Sequence, residues 1–150
     1  MEKVYVINGP NLNMLGVREP EVYGTLTLKE VIRMLKKHAK SRGVRIRSYQ
    51  SNSEGRLIDK VQRLSGGRYA GLIINPGAYT HYSYALRDAI TASGVRAVEV
   101  HLSDIESREP FRRVSVVRDV CIAQIKGLGP EGYLRALDVL LGEEKESRRI

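Results

Sequence analysis

The sequence predicts an α/β fold: a doubly wound, five-stranded parallel sheet in the order 2-1-3-4-5, with helices on both faces. Five strand-like runs punctuate the chain, at Val4–Ile7, Val44–Tyr49, Ala70–Ile74, Ala97–Leu102 and Val120–Ile125. Helix-period stretches separate most of them, and strands alternating with helices imply a parallel sheet covered on both sides. The 150 residues suit a single domain, residues 1–150, large enough to bury a real core.

Each element has its own signal. Val4-Tyr5-Val6-Ile7 is apolar and β-branched, as a buried strand requires, and Asn8-Gly9-Pro10 stops it. The next stretch, to Gly24, is too long for an ordinary strand-to-helix loop and reads as an active-site lid hinged on its glycines. Thr27 and Glu30 form a capping-box pattern, followed by Leu28, Val31, Ile32, Leu35 and Ala39 at helical spacing. Gly43 closes that helix. Val44 to Tyr49 alternates like a half-exposed edge strand. Ser53 opens a second helix, with Leu57, Ile58, Val61 and Leu64 on one face, and Gly66-Gly67 ends it.

The wholly apolar Ala70–Ile74 reads as a central strand broken by Asn75-Pro76-Gly77. A third helix is expected from about His81 to Ala92, with Gly94 at its end. The fourth strand leads into a polar loop over Ser103–Arg113, and the fifth leads to Gly127-Leu128-Gly129-Pro130. Pro130 is expected at the first position of the last helix, and the charged residues 143–150 as a frayed tail. Five strands in this length suggest the flavodoxin-like winding, in which ligands bind beyond the carboxyl ends of strands 1 and 3. Asn8, Asn11, Asn75, His101 and Ser103 all fall at that edge.

Composition narrows the function. The formal charge of +8 suits an anionic partner, either nucleic acid or a small carboxylate. One Phe and no Trp leave little for base stacking, and much of the positive charge lies on ordinary helix faces, so no nucleic-acid partner is expected. No apolar run has the length of a membrane span, no signal peptide precedes the first strand, and a single Cys121 excludes an internal disulfide. A cytoplasmic location without a membrane partner follows as the expectation. The three His and one Cys show no metal-ligand spacing, and neither a nucleophile elbow nor a dinucleotide fingerprint is present.

Two pairs of residues suggest acid–base chemistry. Tyr23 shares the lid-like segment with Arg18. Lowering a phenol from about 10 toward about 7 requires roughly 4 kcal/mol. A guanidinium about 4 Å away supplies energy of that order at an effective dielectric of about 20. Burial opposes the shift, so a second cation is needed, and Arg108 and Arg112 are the candidates. Glu99 and His101, two residues apart on a strand, project from one face, an arrangement that orients a general acid. His81, expected at a helix start, is a weaker candidate for anion binding. From the residues alone, the competing reading is a flavodoxin-like module that binds a nucleotide or RNA phosphate through its Gly9 and Gly77 loops.

Four stretches together resemble the type II 3-dehydroquinate dehydratases: INGPNLNMLGVREPEVYG, NPGAYTHYSYALRDAI, VEVHLSDIESREPFRR and GLGPEGYLRAL. The resemblance implies dehydration of 3-dehydroquinate to 3-dehydroshikimate, in the shikimate pathway of aromatic biosynthesis, without cofactor or Schiff base. It implies Tyr23 as the base, held as its anion by Arg18 and Arg108, and Asn11 positioning a water that stabilises the enolate. His101 would protonate the departing hydroxyl, with Glu99 orienting it. Asn75, Gly77, His81, Leu102, Ser103 and Arg112 would bind substrate, and Asp88 would reach a neighbouring subunit's site in a dodecamer built as a tetramer of trimers. Val114-Ser115-Val116 departs from the His-Ser-Tyr usual in that family, which predicts altered packing near the trimer contact. Lys126 offers an imine alternative of low weight.

Overall fold

The computed structural model describes residues 2–17, 19, 21 and 25–143. Its sheet contains β1 (Glu2–Asn8), β2 (Val44–Gln50), β3 (Gly71–Asn75), β4 (Ala97–His101) and β5 (Ala123–Lys126), ordered β2-β1-β3-β4-β5. Every pairing is parallel. The helices are α1 (Leu28–Lys40), α2 (Glu54–Gln62), α3 (Tyr84–Ser93) and α4 (Glu131–Leu140).

Strand parity divides the core between two faces. Val4, Val6, Ile73, Val98 and Val100 pack with Val31 and Leu35 of α1 and Ala136 and Leu137 of α4. Ile7, Leu72 and Ile74 pack on the opposite face with Leu57 and Val61 of α2 and Leu86 and Ile90 of α3. Each Val, Leu or Ile among them, fully buried, contributes about 1.5–3 kcal/mol of transfer free energy. The same alternation sends Asn8 and Asn75 to the α1/α4 face and Glu99 and His101 to the α2/α3 face. The carboxyl edge of the sheet therefore carries polar groups on both faces.

The local signals mostly act as expected. Thr27 Oγ1 accepts from the Glu30 N–H, while Glu30 accepts from the Thr27 N–H, completing the capping box of α1. Several boundaries differ, among them the end of α2, which stops at Gln62 ahead of Gly66-Gly67. The Gly77–His81 segment is a 3-10 turn, and α3 starts only at Tyr84, because the Ser83 hydroxyl caps it by accepting from the Leu86 N–H. His81 thus ends a turn instead of opening a helix. A 3-10 turn also occupies Arg118–Val120, so β5 starts at Ala123. Pro130 has helical angles but precedes the first residue of α4 by one position. Arg18, Tyr23 and the tail from residue 144 lie outside the described residues.

Candidate active site

The strand order reverses between β1 and β3, and their loops interlock there. Gly9 N–H donates to the Asn75 carbonyl at 2.8 Å. A Cβ on Gly9 would lie 2.4 Å from the Pro76 carbonyl oxygen. Gly77, at φ +62°, passes close to Pro10 in turn, where a Cβ would stand 3.0 Å from the Pro10 carbonyl oxygen. Only glycine lets the two backbones approach this closely.

Above this crossing lies a cleft of about 120 Å³. Asn11 lines its β1 side, Asn75, Gly77 and His81 its β3 side, and Leu102, Ser103, Arg108 and Arg112 its β4 side. Asn11 adopts a left-handed backbone, φ 69°. Its N–H donates to Asn52 Oδ1 at 3.0 Å, and Gln50 Nε2 donates to the Gly9 carbonyl at 3.1 Å. The Tyr79 hydroxyl donates to the Asn52 carbonyl at 2.7 Å. The end of β2 thus braces the start of the loop that carries Asn11.

Arg108 and Arg112 come from the polar loop after β4. Arg112 Nε donates to Glu109 Oε1 at 2.7 Å, and its guanidinium lies 4.7 Å from the Phe111 ring centre. Arg108 Nη2 stands 3.8 Å from Glu19 Oε1. His81 Nδ1 donates to the Val114 carbonyl at 2.7 Å, which leaves Nε2 as an acceptor when the ring is neutral. Partial burial lowers the His81 pKa, and the charges of His101 and Arg112 push the same way against the Val114 hydrogen bond.

Next to the cleft-lining Leu102, His101 ends β4 with its ring almost wholly buried, and its Nε2 bonds Glu99 Oε2. That same oxygen accepts from Ser115 Oγ at 2.8 Å and Gln124 Nε2 at 3.2 Å. Burial alone would raise the Glu99 pKa; His101, by hydrogen bond and charge, with Ser115 and Gln124, reverses this and holds the carboxyl below its ordinary value. A carboxylate kept ionised in a dry site fixes the orientation of the imidazole it accepts from.

The Dehydroquinase class II family model matches residues 2–141. The chain belongs to the class II dehydroquinase family. It is 50% identical over 147 residues to the 3-dehydroquinate dehydratase of Thermotoga neapolitana, covering 98% of this chain and 99% of that one. The Clostridium beijerinckii enzyme of the same name is 49% identical over 138 residues, covering 92% and 94% of the two chains. The crystal structure of the type II dehydroquinase from Butyrivibrio crossotus superposes with a TM-score of 0.91 at 46% identity, covering 93% of this chain and 97% of that one.

Of the described site residues expected from sequence, Asn11, Asn75, Gly77, His81, Leu102, Ser103, Arg108 and Arg112 line the cleft, while Glu99 and His101 lie on β4 next to it without lining it. Asp88 stands exposed on α3 and does not line the cleft of its own chain. Lys126 does not line it either; its Nζ is held by Glu106 Oε2 at 2.6 Å. Val114, one of the departures from the family pattern, is exposed, whereas Val116 is buried against the α3 side of the core. Sequence reasoning missed Gln50, Asn52, Ser115, Gln124 and Tyr133. Gln124 pairs with Glu99 across the β4–β5 ladder, a relation visible only once strand order is known.

Proposed function

We propose that this protein dehydrates 3-dehydroquinate to 3-dehydroshikimate through an enolate, using only its own side chains, in the shikimate pathway. The observation that carries the reading is the buried Glu99–His101 pair beside a cleft lined by Asn11, Asn75, His81, Ser103, Arg108 and Arg112. The family relationship supplies the substrate class. Tyr23, ionised beside Arg18 and Arg108, removes the proton next to the ketone. The resulting enolate is stabilised by a water that Asn11 holds. As the enolate electrons re-form the ketone and build the new C=C bond, the C–O bond to the leaving hydroxyl breaks. His101, oriented by Glu99, protonates that oxygen, and water leaves. One proton must then pass from Tyr23 to His101 before the next turnover.

Asn75, Gly77, His81, Leu102, Ser103 and Arg112 bind the carboxylate and hydroxyls of the substrate. Asp88 completes a neighbouring subunit's site in a homo-oligomer, a dodecamer of four trimers. Support for such contacts comes from the exposed Tyr82, Tyr84, Phe111 and Val114, apolar surface that a second copy would cover.

Mixing purified protein with 3-dehydroquinate should produce the ultraviolet absorbance of a conjugated enone. Tyr23→Phe should abolish turnover while leaving substrate affinity largely intact. A variant that kept most of its rate would remove Tyr23 as the base. Inactivation by borohydride in the presence of substrate would instead favour a lysine imine.

A further inference from the structure

Tyr133 lies in the first turn of α4, is fully buried, and plays no part in the chemistry above. Its hydroxyl donates to Asn8 Oδ1 at 2.5 Å and accepts from Asn75 Nδ2 at 3.0 Å. Asn75 Oδ1 in turn accepts from the Gly77 N–H at 3.2 Å. The four groups form a chain with one polarity. A phenol has a single hydrogen to give, and Asn8 takes it, so the phenol oxygen faces Asn75 as an acceptor. Asn75 must then turn its nitrogen toward Tyr133 and its oxygen toward Gly77. One of its two N–H groups is committed to Tyr133; the other is left as a donor on a residue that lines the cleft.

We propose that Tyr133 is a positioning residue: through this relay it fixes the Asn75 amide as a hydrogen-bond donor to an oxygen acceptor of the substrate, a hydroxyl or a carboxylate. The inference rests on the reading of the cleft as a substrate site. A purely structural role explains the hydroxyl less well. β1 and β3 are already paired at this level, with Asn8 opposite Asn75, and Gly9 N–H already bonds the Asn75 carbonyl. Phenylalanine would fill the space of the ring but would deprive the buried Asn8 Oδ1 and Asn75 Nδ2 of this partner, so what the hydroxyl adds is the orientation of the two amides. The approach of α4 is also specific, because Gly132 brings the helix onto the sheet where a Cβ would touch Ile125 at 3.4 Å and Val100 at 3.5 Å.

The test is steady-state kinetics on 3-dehydroquinate with Tyr133→Phe, Asn75→Ala and the double variant. Losing one oriented hydrogen bond to the ligand should raise KM about tenfold in Tyr133→Phe, with kcat within about twofold. In the Asn75→Ala background the second substitution should add almost nothing, since the relay has no amide left to orient. If Tyr133→Phe fails to fold, Asn8→Leu serves instead: it removes the acceptor, frees the hydroxyl proton to turn toward Asn75, and should raise KM alike. Unchanged KM in an active Tyr133→Phe, or additive effects in the double variant, would overturn the positioning role alone. A wild-type protein that neither binds nor converts 3-dehydroquinate would overturn the function and this role with it.

Discussion

Among the described residues a histidine meets a carboxylate twice, and the two pairs have little else in common. At the carboxyl end of β4, His101 and Glu99 are 6% and 0% exposed. Between the C-terminal halves of α1 and α4, His38 Nε2 stands 2.8 Å from Asp138 Oδ1, with side chains 19% and 16% exposed. The second carboxylate also has Arg42 Nε at 3.2 Å, and Arg42 reaches on to Glu143 at 2.9 Å. Asp138 therefore keeps a cation whether or not His38 is protonated. Glu99 instead has His101 as its charge partner and two neutral donors, Ser115 and Gln124, on the same oxygen. Burial and partner choice make one pair sensitive to a single proton and the other indifferent to it.

The largest expected effect comes from breaking the buried pair. Glu99→Gln keeps the shape but removes the charge that orients His101. Under the proposed elimination, kcat/KM should fall by about 10²- to 10⁴-fold, the usual contribution of a positioned general acid. A loss of only a few-fold would mean that His101 does not depend on Glu99 for its task. The comparison sharpens if His38→Gln is assayed beside it, because that variant should leave kcat/KM within about twofold.

Smaller effects should appear in the pH dependence of stability. Glu99 has a lowered pKa in the fold, so its contribution is complete above the ordinary carboxyl value and is lost as pH falls through the folded value. The acid side of a melting-temperature profile, below about pH 4.5, should therefore be less steep in Glu99→Gln. His81 behaves with the same sign at higher pH. Its lowered pKa means that the fold favours the neutral ring, so stability drops as pH falls below the ordinary imidazole value of about 6.5. His81→Asn should flatten the profile on the acid side of about pH 6.5. Profiles parallel to wild type in both variants would mean that neither group is coupled to folding.

The comparison also shows where the sequence was legible. Helix and strand periods, the capping box and the glycine stops yielded the elements because each acts within a few residues, and the sheet order followed from the alternation and number of the strands. The boundaries that moved depend on competition: Ser83 outcompetes His81 as the start of α3, and a turn at Arg118–Val120 shortens β5. Glu99 and His101 were readable as a pair because strand parity puts residues i and i+2 on one face. Tyr133 was not, since its partners lie 125 and 58 residues away and nothing local marks its hydroxyl. Asn52 reaches Asn11 across 41 residues for the same reason. His38 and Asp138, 100 residues apart, are likewise a product of helix packing.

The smallest effect should come from the exposed pair itself. His38→Gln removes the ring that bridges α1 and α4, but Arg42 still faces Asp138 and the side chains remain partly hydrated. Ion pairs in such settings contribute about 0–1 kcal/mol and are screened by salt. Urea denaturation at neutral pH should show a loss below about 1 kcal/mol, narrowing further at high ionic strength. The double variant with Arg42→Gln should lose more than the sum of the single changes, because only then does Asp138 face two neutral groups. A strictly additive result would mean that Arg42 does not stand in for His38, and the indifference ascribed to this pair would have to come from solvent alone.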